Sequence, residues 1–175
     1  MTIIANAGDD ASLKSSFIES LVEHVFISEV LQEVWYSHRK TIEVLRSEVD
    51  SSGYDVVFEC DKILRHVQLK TSKESAKTAY QKVSLVLADK PSGCVVWIIR
   101  HEDSNLRRMN LTYRYFGDEP MKPLPSLTDL PSAKQSRGNA QGFKADRPGL
   151  KVVPKNRFTP IATTKELVER LFGIA

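Results

Sequence analysis

The stretch at residues 53–72, GYDVVFECDKILRHVQLKTS, constrains the fold more than any other part of the chain. It contains two runs rich in Val, Ile, Phe and Leu, Tyr54–Cys60 and Ile63–Thr71, in which polar and apolar residues alternate. Alternation with a period near two is typical of paired β-strands. Because only Asp61 and Lys62 separate the runs, the stretch predicts two adjacent strands joined by a short turn.

Three polar residues of this hairpin are expected to meet at one end of it. Asp55 lies near the start of the first strand, and Gln68 and Lys70 lie near the end of the second. Neighbouring strands that run in opposite directions bring those two ends together. An acid, an amide carbonyl and an ammonium group are therefore predicted within reach of one point.

This arrangement resembles the PD-(D/E)xK nuclease superfamily, in the variant that has Gln at the second acidic position. Asp55 matches the first acid, Gln68 the (D/E) position and Lys70 the lysine, which follows Asp55 by 15 positions. The resemblance implies that Asp55 and Gln68 bind Mg²⁺ or Mn²⁺, for which oxygen ligands are suited. It also implies that Lys70 orients or activates water and stabilises charge at the scissile phosphate.

The resemblance further implies a glutamate from the helix that precedes the hairpin. We expect that helix at Ser15–Trp35, where Glu23 and Glu29 are the alternatives. Each extends an otherwise apolar row, and an acid on such a row needs a partner; Glu23 is preferred by its distance from the end of the helix. Secondary site candidates are Glu59, which lies about 13 Å along the strand from Asp55, and His66, Thr71 and Ser72.

The predicted order of elements agrees with the αβββαβ core of the resembled nucleases. We expect an α/β (α+β) fold with a restriction-endonuclease-like core, in which helices flank a mixed central sheet. After the first helix, the predicted elements are a strand at Lys40–Val49, the hairpin, a helix at Lys73–Asp89, strands at Cys94–Ile99 and Met109–Phe116, and a closing helix at Thr163–Phe172. The expected organisation is a flexible N-terminus at 1–12, a core domain at 13–118, and an extension at 119–175 that packs on the same domain.

The extension is rich in proline, which predicts loops ahead of the closing helix. Residues 131–160 carry seven basic residues and one acidic residue, whereas the whole chain of 175 residues carries a net charge of +3. A basic segment in a loop-rich region is suited to a phosphate backbone. Nucleic acid, with DNA favoured over RNA, is therefore the predicted partner, and the predicted contacts are Lys134, Arg137, Lys144, Arg147 and Lys151.

The first helix also predicts a homodimer, because its apolar residues lie on two faces. Ile18, Leu21, Val22 and Val25 define one face, and Ile27, Val30, Leu31 and Val34 define nearly the opposite one. Such a helix is either enclosed in the core or contacts a second chain. The chain lacks a signal-peptide pattern and an apolar run long enough to span a membrane. Together with two cysteines in apolar strands, this predicts a cytoplasmic protein with reduced thiols.

The sequence as a whole favours a Mg²⁺-dependent nuclease that hydrolyses phosphodiester bonds. The alternative is a catalytically inactive protein of the same fold that binds nucleic acid or a protein partner. Gln68 supports the alternative, because an amide supplies an oxygen ligand without the charge of a carboxylate.

Overall fold

The structure, a computed structural model, describes residues 7–47, 52–103, 105–138 and 140–174, with side chains from residue 14 onward. These ranges contain two helices, α1 (Ala7–His38) and α2 (Thr164–Phe172). They contain the strands β1 (Glu43–Arg46), β2 (Val56–Cys60), β3 (Ile63–Lys73), β4 (Tyr80–Ser84), β5 (Gly93–Asp103), β6 (Arg108–Gly117), β7 (Ser132–Lys134), β8 (Asp146–Pro154) and β9 (Thr159–Ile161). Short 3-10 helices occupy Leu85–Asp89 and Lys155–Arg157.

A six-stranded sheet in the order β1-β2-β3-β5-β6-β9 forms the centre of the molecule. The strands pair antiparallel except for β3 and β5, which are parallel, so the sheet is mixed as expected. The predicted hairpin is present as β2 and β3. Asp61 and Lys62 join these strands with φ of 47° and 68°, the left-handed conformation that a two-residue hairpin turn requires.

The two faces of this sheet are covered differently. Helices α1 and α2 pack on one face, against residues such as Val96 and Ile98 of β5. A second sheet, in the order β4-β8-β7, packs on the other face against Val95 and Trp97 of the same strand. Burial on both faces explains the unbroken apolar run of β5. The expectation that helices flank the sheet was therefore right for one face only.

The prediction of a helix at Lys73–Asp89 was wrong. The segment continues β3 to Lys73, forms β4 and ends in a single 3-10 helix at Leu85–Asp89. The strand β4 pairs antiparallel with β8, from Ser84 with Leu150 to Tyr80 with Pro154. Pairing with a strand that lies far along the sequence outweighed the helical spacing of the apolar residues. The parallel connection from β3 to β5 therefore runs through β4 and a 3-10 helix.

The extension at 119–175 contains more regular structure than its prolines predicted. Three of its segments form the strands β7, β8 and β9. Pro160 lies in β9, an edge strand, where a missing backbone donor is tolerated. Pro148 lies in β8 where the pairing with β7 shifts between Ser132 and Ala133. The closing helix α2 is confirmed, with Thr163 as its N-cap.

Helix α1 begins at Ala7, earlier than predicted, and residues 1–6 lie outside the described residues. It buries one stripe against the sheet, made of Val22, Phe26, Val30 and Val34. A second apolar stripe is exposed and consists of Phe17, Leu21, Leu31 and Trp35. The helix thus has two apolar faces, although their members differ from those predicted. A second copy of the chain over the exposed stripe remains a prediction.

Arg65 connects β3 to the segments that precede β5 and follow β6, and to α2. Its side chain is fully buried, and its guanidinium donates to Ser92 Oγ at 3.0 Å and to the Asp118 carbonyl at 2.8 Å. It also donates to the Tyr115 hydroxyl and to the Arg170 carbonyl near the end of α2. The hydrogen bonds offset the cost of burying the charge.

Neither helix in the described part of the chain is long and apolar enough to cross a membrane. Cys60 and Cys94 are both buried and free. The strand predicted at Lys40–Val49 is shorter in the structure, at Glu43–Arg46, and Val49 lies outside the described residues.

Candidate active site

The site forms where β3 continues beyond its neighbour β2. Strand β2 pairs with Ile63–Val67 of β3, whereas β5 pairs with His66–Lys73. From residue 68 to residue 73, β3 therefore pairs with β5 along one edge, and its other edge is no longer paired with β2. Residues two apart direct their backbone N–H and C=O groups to the same edge, so those of Leu69 and Thr71 face the edge that β2 has left.

Asp55 lies directly before β2, and both its backbone and its side chain form hydrogen bonds with the backbone of β3. Its backbone N–H donates to the Val67 carbonyl at 2.9 Å, and its Oδ2 accepts from the Leu69 N–H at 2.5 Å. The Asp55 carbonyl in turn accepts from the Ser47 N–H at 2.9 Å. These three bonds fix the carboxylate against the open edge of β3, beside the carbonyl of Leu69.

A cavity of about 510 Å³ opens at this edge and brings together three of the four principal predicted site residues. Asp55, Lys70 and Glu23 all line it. The remaining lining residues are Ser16, Glu19 and Ser20 of α1, Leu69 and Thr71 of β3, Gln81 of β4 and Ile98 of β5. Residues from α1, the β2–β3 hairpin and β4 therefore enclose a space that holds carboxylates, hydroxyls and one ammonium group.

Glu23 has a cation as its partner. Arg46 of β1 contacts Oε1 of Glu23 through Nε at 2.7 Å and through Nη2 at 2.6 Å. Two short contacts from a guanidinium hold the carboxylate in one orientation at the cavity. Glu23 was expected to need a partner because it lies on an apolar row of α1, and that partner is Arg46 of β1.

The alternative glutamate, Glu29, lies at a different place. Its Oε2 accepts from the Tyr113 hydroxyl at 2.7 Å and from the Thr164 hydroxyl at 2.8 Å. Burial raises the pKa of Tyr113, and the nearby Glu29 carboxylate raises it further. Glu29 therefore joins α1 to β6 and α2, and it does not line the cavity of Asp55.

Gln68 also lies outside the lining of the cavity. Its side chain is buried, and its Oε1 accepts from the Ser84 N–H at 3.2 Å. This bond connects the main sheet to the end of β4, on the opposite face from the helices. Lys70, two residues further along β3, points to the same side of the strand and reaches the cavity.

The secondary candidates divide in the same way. Thr71 lines the cavity. Ser72 accepts a hydrogen bond from Trp97 Nε1 at 2.9 Å. His66 contacts the Pro91 carbonyl at 2.7 Å and packs edge-on against Tyr54, and Glu59 is exposed on β2.

The residues present fit a magnesium ion held mainly by one carboxylate. Among the described residues, no three His, Cys, Asp or Glu side chains are close enough to hold a metal ion together. Mg²⁺ is commonly bound through one or two carboxylates and keeps several waters. Asp55 satisfies this with the Leu69 carbonyl on the same edge, and Glu23 lines the same cavity.

Glu19 and Gln81 also line the cavity, although neither was among the predicted site residues. Glu19 could have been found, because it precedes Glu23 by four residues and the two share one face of a helix. Gln81 could not, because it lies in the segment that was predicted as a helix.

The basic residues of the extension lie on a hairpin formed by β7 and β8. Lys134, Arg137, Lys144 and Arg147 are exposed on it, and Lys134 lies 4.0 Å from Asp146. Lys151, nearer the core, donates to the Leu130 carbonyl at 2.9 Å and is partly buried. The first four residues therefore present positive charge to solvent, and Lys151 also has a structural contact.

The chain matches no protein-family model, no curated protein and no solved structure.

Proposed function

We propose that this protein is a metal-dependent nuclease that hydrolyses phosphodiester bonds in DNA. The observation that carries the proposal is the cavity at the open edge of β3, which Asp55, Lys70 and Glu23 line together. An acid fixed by backbone contacts next to an ammonium group is suited to a reaction at an anionic phosphate. The positive charge on the β7–β8 hairpin supports a polyanionic substrate.

In this proposal Asp55 and the Leu69 carbonyl would hold the ion. When bound, Mg²⁺ would supply a Lewis acid that stabilises negative charge on the phosphoryl group. Lys70 lies at the phosphate, where its ammonium group orients the attacking water and stabilises charge that develops in the transition state. Hydrolysis forms a bond from the water oxygen to phosphorus and breaks the bond to the leaving sugar oxygen. Glu23, held by Arg46, orients water on the α1 side of the cavity.

The fold gives partial support to a restriction-endonuclease-like core. Helix α1, the strands β1, β2 and β3, and the parallel strand β5 follow the αβββαβ order. The second helix of that order is replaced by β4 and a 3-10 helix. We therefore propose a variant of the core in which a small sheet, rather than a helix, covers one face.

The proposal is tested by incubating the protein with supercoiled plasmid, linear duplex, single strands, branched junctions and RNA, in Mg²⁺ and in Mn²⁺. We expect cleavage of at least one DNA substrate, and loss of that cleavage in Asp55→Ala and in Lys70→Ala. Glu59→Ala, an exposed acid outside the cavity, is the matched control and should cleave like the unmodified protein. Cleavage that survives both cavity substitutions would contradict the assignment of the site.

A second candidate function is a non-catalytic nucleic-acid-binding or protein-interaction module. The pairing of Glu23 with Arg46 favours it, because that carboxylate already has a cation as its partner. The position of Gln68 favours it as well, because the oxygen expected to bind metal accepts from Ser84 of β4 and Gln68 does not line the cavity. Salt-sensitive DNA binding without cleavage of any substrate in the panel would support this second function.

A further inference from the structure

A second groove adjoins the cavity of Asp55 along β3. It has a volume of about 400 Å³, and it shares Glu19 and Thr71 with that cavity. One wall is the N-terminal half of α1, and the opposite wall is the end of β3 together with β5. The two concave regions therefore adjoin each other along β3.

The charge of this groove is predominantly positive. Lys14, Lys73 and Arg100 line it, and Glu19 supplies a carboxylate among the described lining residues. Arg100 is 9 % exposed and contacts Glu102, whose side chain is 60 % exposed. Three cations from α1, β3 and β5 that converge on one concave surface are suited to a phosphate group, and the hydroxyl-bearing Ser72 and Thr71 also line it.

Two lysines of β3 line the two concave regions, one in each. Lys73 follows Lys70 by three residues of extended chain, about 10 Å along β3. Lys70 lines the Asp55 cavity and Lys73 lines the groove. A volume of about 400 Å³ is at the low end for a small-molecule pocket, so the groove is too small to enclose a whole double helix.

We propose that the groove binds a single nucleic-acid strand, with Lys14 and Lys73 at a phosphate next to the one in the Asp55 cavity. This inference rests on the proposed function and extends it to a substrate class. The chain acts on DNA that is single-stranded, or that opens, at the position of cleavage. The exposed hairpin of β7 and β8 then contacts flanking nucleic acid outside the groove.

The test is binding of a fluorescent 12-nucleotide single strand and of the matching duplex, measured by anisotropy in EDTA over a series of salt concentrations. We expect the single strand to bind more tightly than the duplex. We expect Lys14→Gln/Lys73→Gln to weaken single-strand binding about tenfold and to reduce the salt slope by about 0.7 for each phosphate that is no longer neutralised. Lys62→Gln/Lys122→Gln removes two exposed lysines from outside both cavities, and it should bind like the unmodified protein.

The outcomes separate failure of this inference from failure of the proposed function. If the unmodified protein binds and cleaves DNA and the Lys14/Lys73 variant does so equally well, the groove is wrong and the nuclease stands. Tighter binding of duplex than of single strand would also overturn the groove. If the unmodified protein neither binds nor cleaves any nucleic acid, both are wrong. Displacement of the strand by micromolar pyrophosphate would instead assign the groove to a small phosphate compound.

Discussion

Asp55 positions the site because its carboxylate accepts a backbone N–H of β3, as a carbonyl of a paired strand would, and also supplies an acid. Its Oδ2 accepts the Leu69 N–H at the point where β2 no longer pairs with β3. The carboxylate is therefore positioned by the main sheet rather than by a loop. A group held in this way is preorganised, which favours binding of a cation or stabilisation of charge.

A substitution at Gln68 can distinguish a structural role of this residue from a metal-binding role. We expect Gln68→Glu to lower the free energy of unfolding, because a buried carboxylate would replace the amide that accepts from Ser84. We expect it to leave Mn²⁺ affinity unchanged. Urea unfolding and calorimetric titration of the same protein measure both effects. Tighter Mn²⁺ binding in Gln68→Glu would show that residue 68 reaches the ion.

Arg65 is expected to contribute more to stability than any exposed charge. Arg65→Met should lower the free energy of unfolding by about 3 to 5 kcal/mol, because several buried acceptors would then lack a charged donor. The measurement is urea unfolding, with Arg137→Met, an exposed arginine, as the matched control. A decrease below about 1 kcal/mol would mean that the buried hydrogen bonds of Arg65 contribute little.

At the scale of elements, the hairpin of β2 and β3 was predictable and the segment after it was not. The hairpin shows its alternation within one short stretch, and its turn is local. The secondary structure of Tyr80–Ser84 depends on pairing with β8, which lies far along the sequence. Short-range spacing carries no information about such a partner. Gln81 was missed, and the structural use of Gln68 was not foreseen, for the same reason.

The β7–β8 hairpin is expected to contribute affinity rather than chemistry. We expect Lys134→Gln/Arg137→Gln/Lys144→Gln/Arg147→Gln to weaken DNA binding and to flatten its salt dependence, because each phosphate that is no longer neutralised lowers the slope by about 0.9 on duplex DNA. The rate of cleavage at saturating DNA should stay within about twofold of the unmodified protein. A large fall in that rate, with affinity retained, would place the hairpin at the reaction centre instead.

At the scale of the whole molecule, burial of ionisable groups in the core predicts how stability depends on pH. Burial raises the pKa of Cys94 from 9.0 to about 11, and it also raises the pKa of Tyr115. Above pH 9 the unfolded chain therefore releases protons that the folded chain retains. The free energy of unfolding should fall by about 2 kcal/mol between pH 9 and pH 11 through Cys94 alone.

Urea unfolding of the protein and of Cys94→Ala at pH 8, 9, 10 and 11 checks this prediction. The stability of Cys94→Ala should fall less steeply between pH 9 and pH 10, because the tyrosines, which titrate near pH 10, are present in both proteins and the thiol in only one. Equal slopes for the two proteins in that interval would show that the buried thiol does not titrate as expected.

A metal-dependent nuclease at this site requires that the cavity of Asp55 bind a divalent cation. The most direct test is titration with Mn²⁺, followed by electron paramagnetic resonance, of the unmodified protein, Asp55→Asn and the control Glu59→Gln. We predict one bound ion in the unmodified protein and in Glu59→Gln, with affinity reduced at least about tenfold in Asp55→Asn. Absence of Mn²⁺ binding, or equal affinity in all three proteins, would contradict a metal-dependent nuclease at this site.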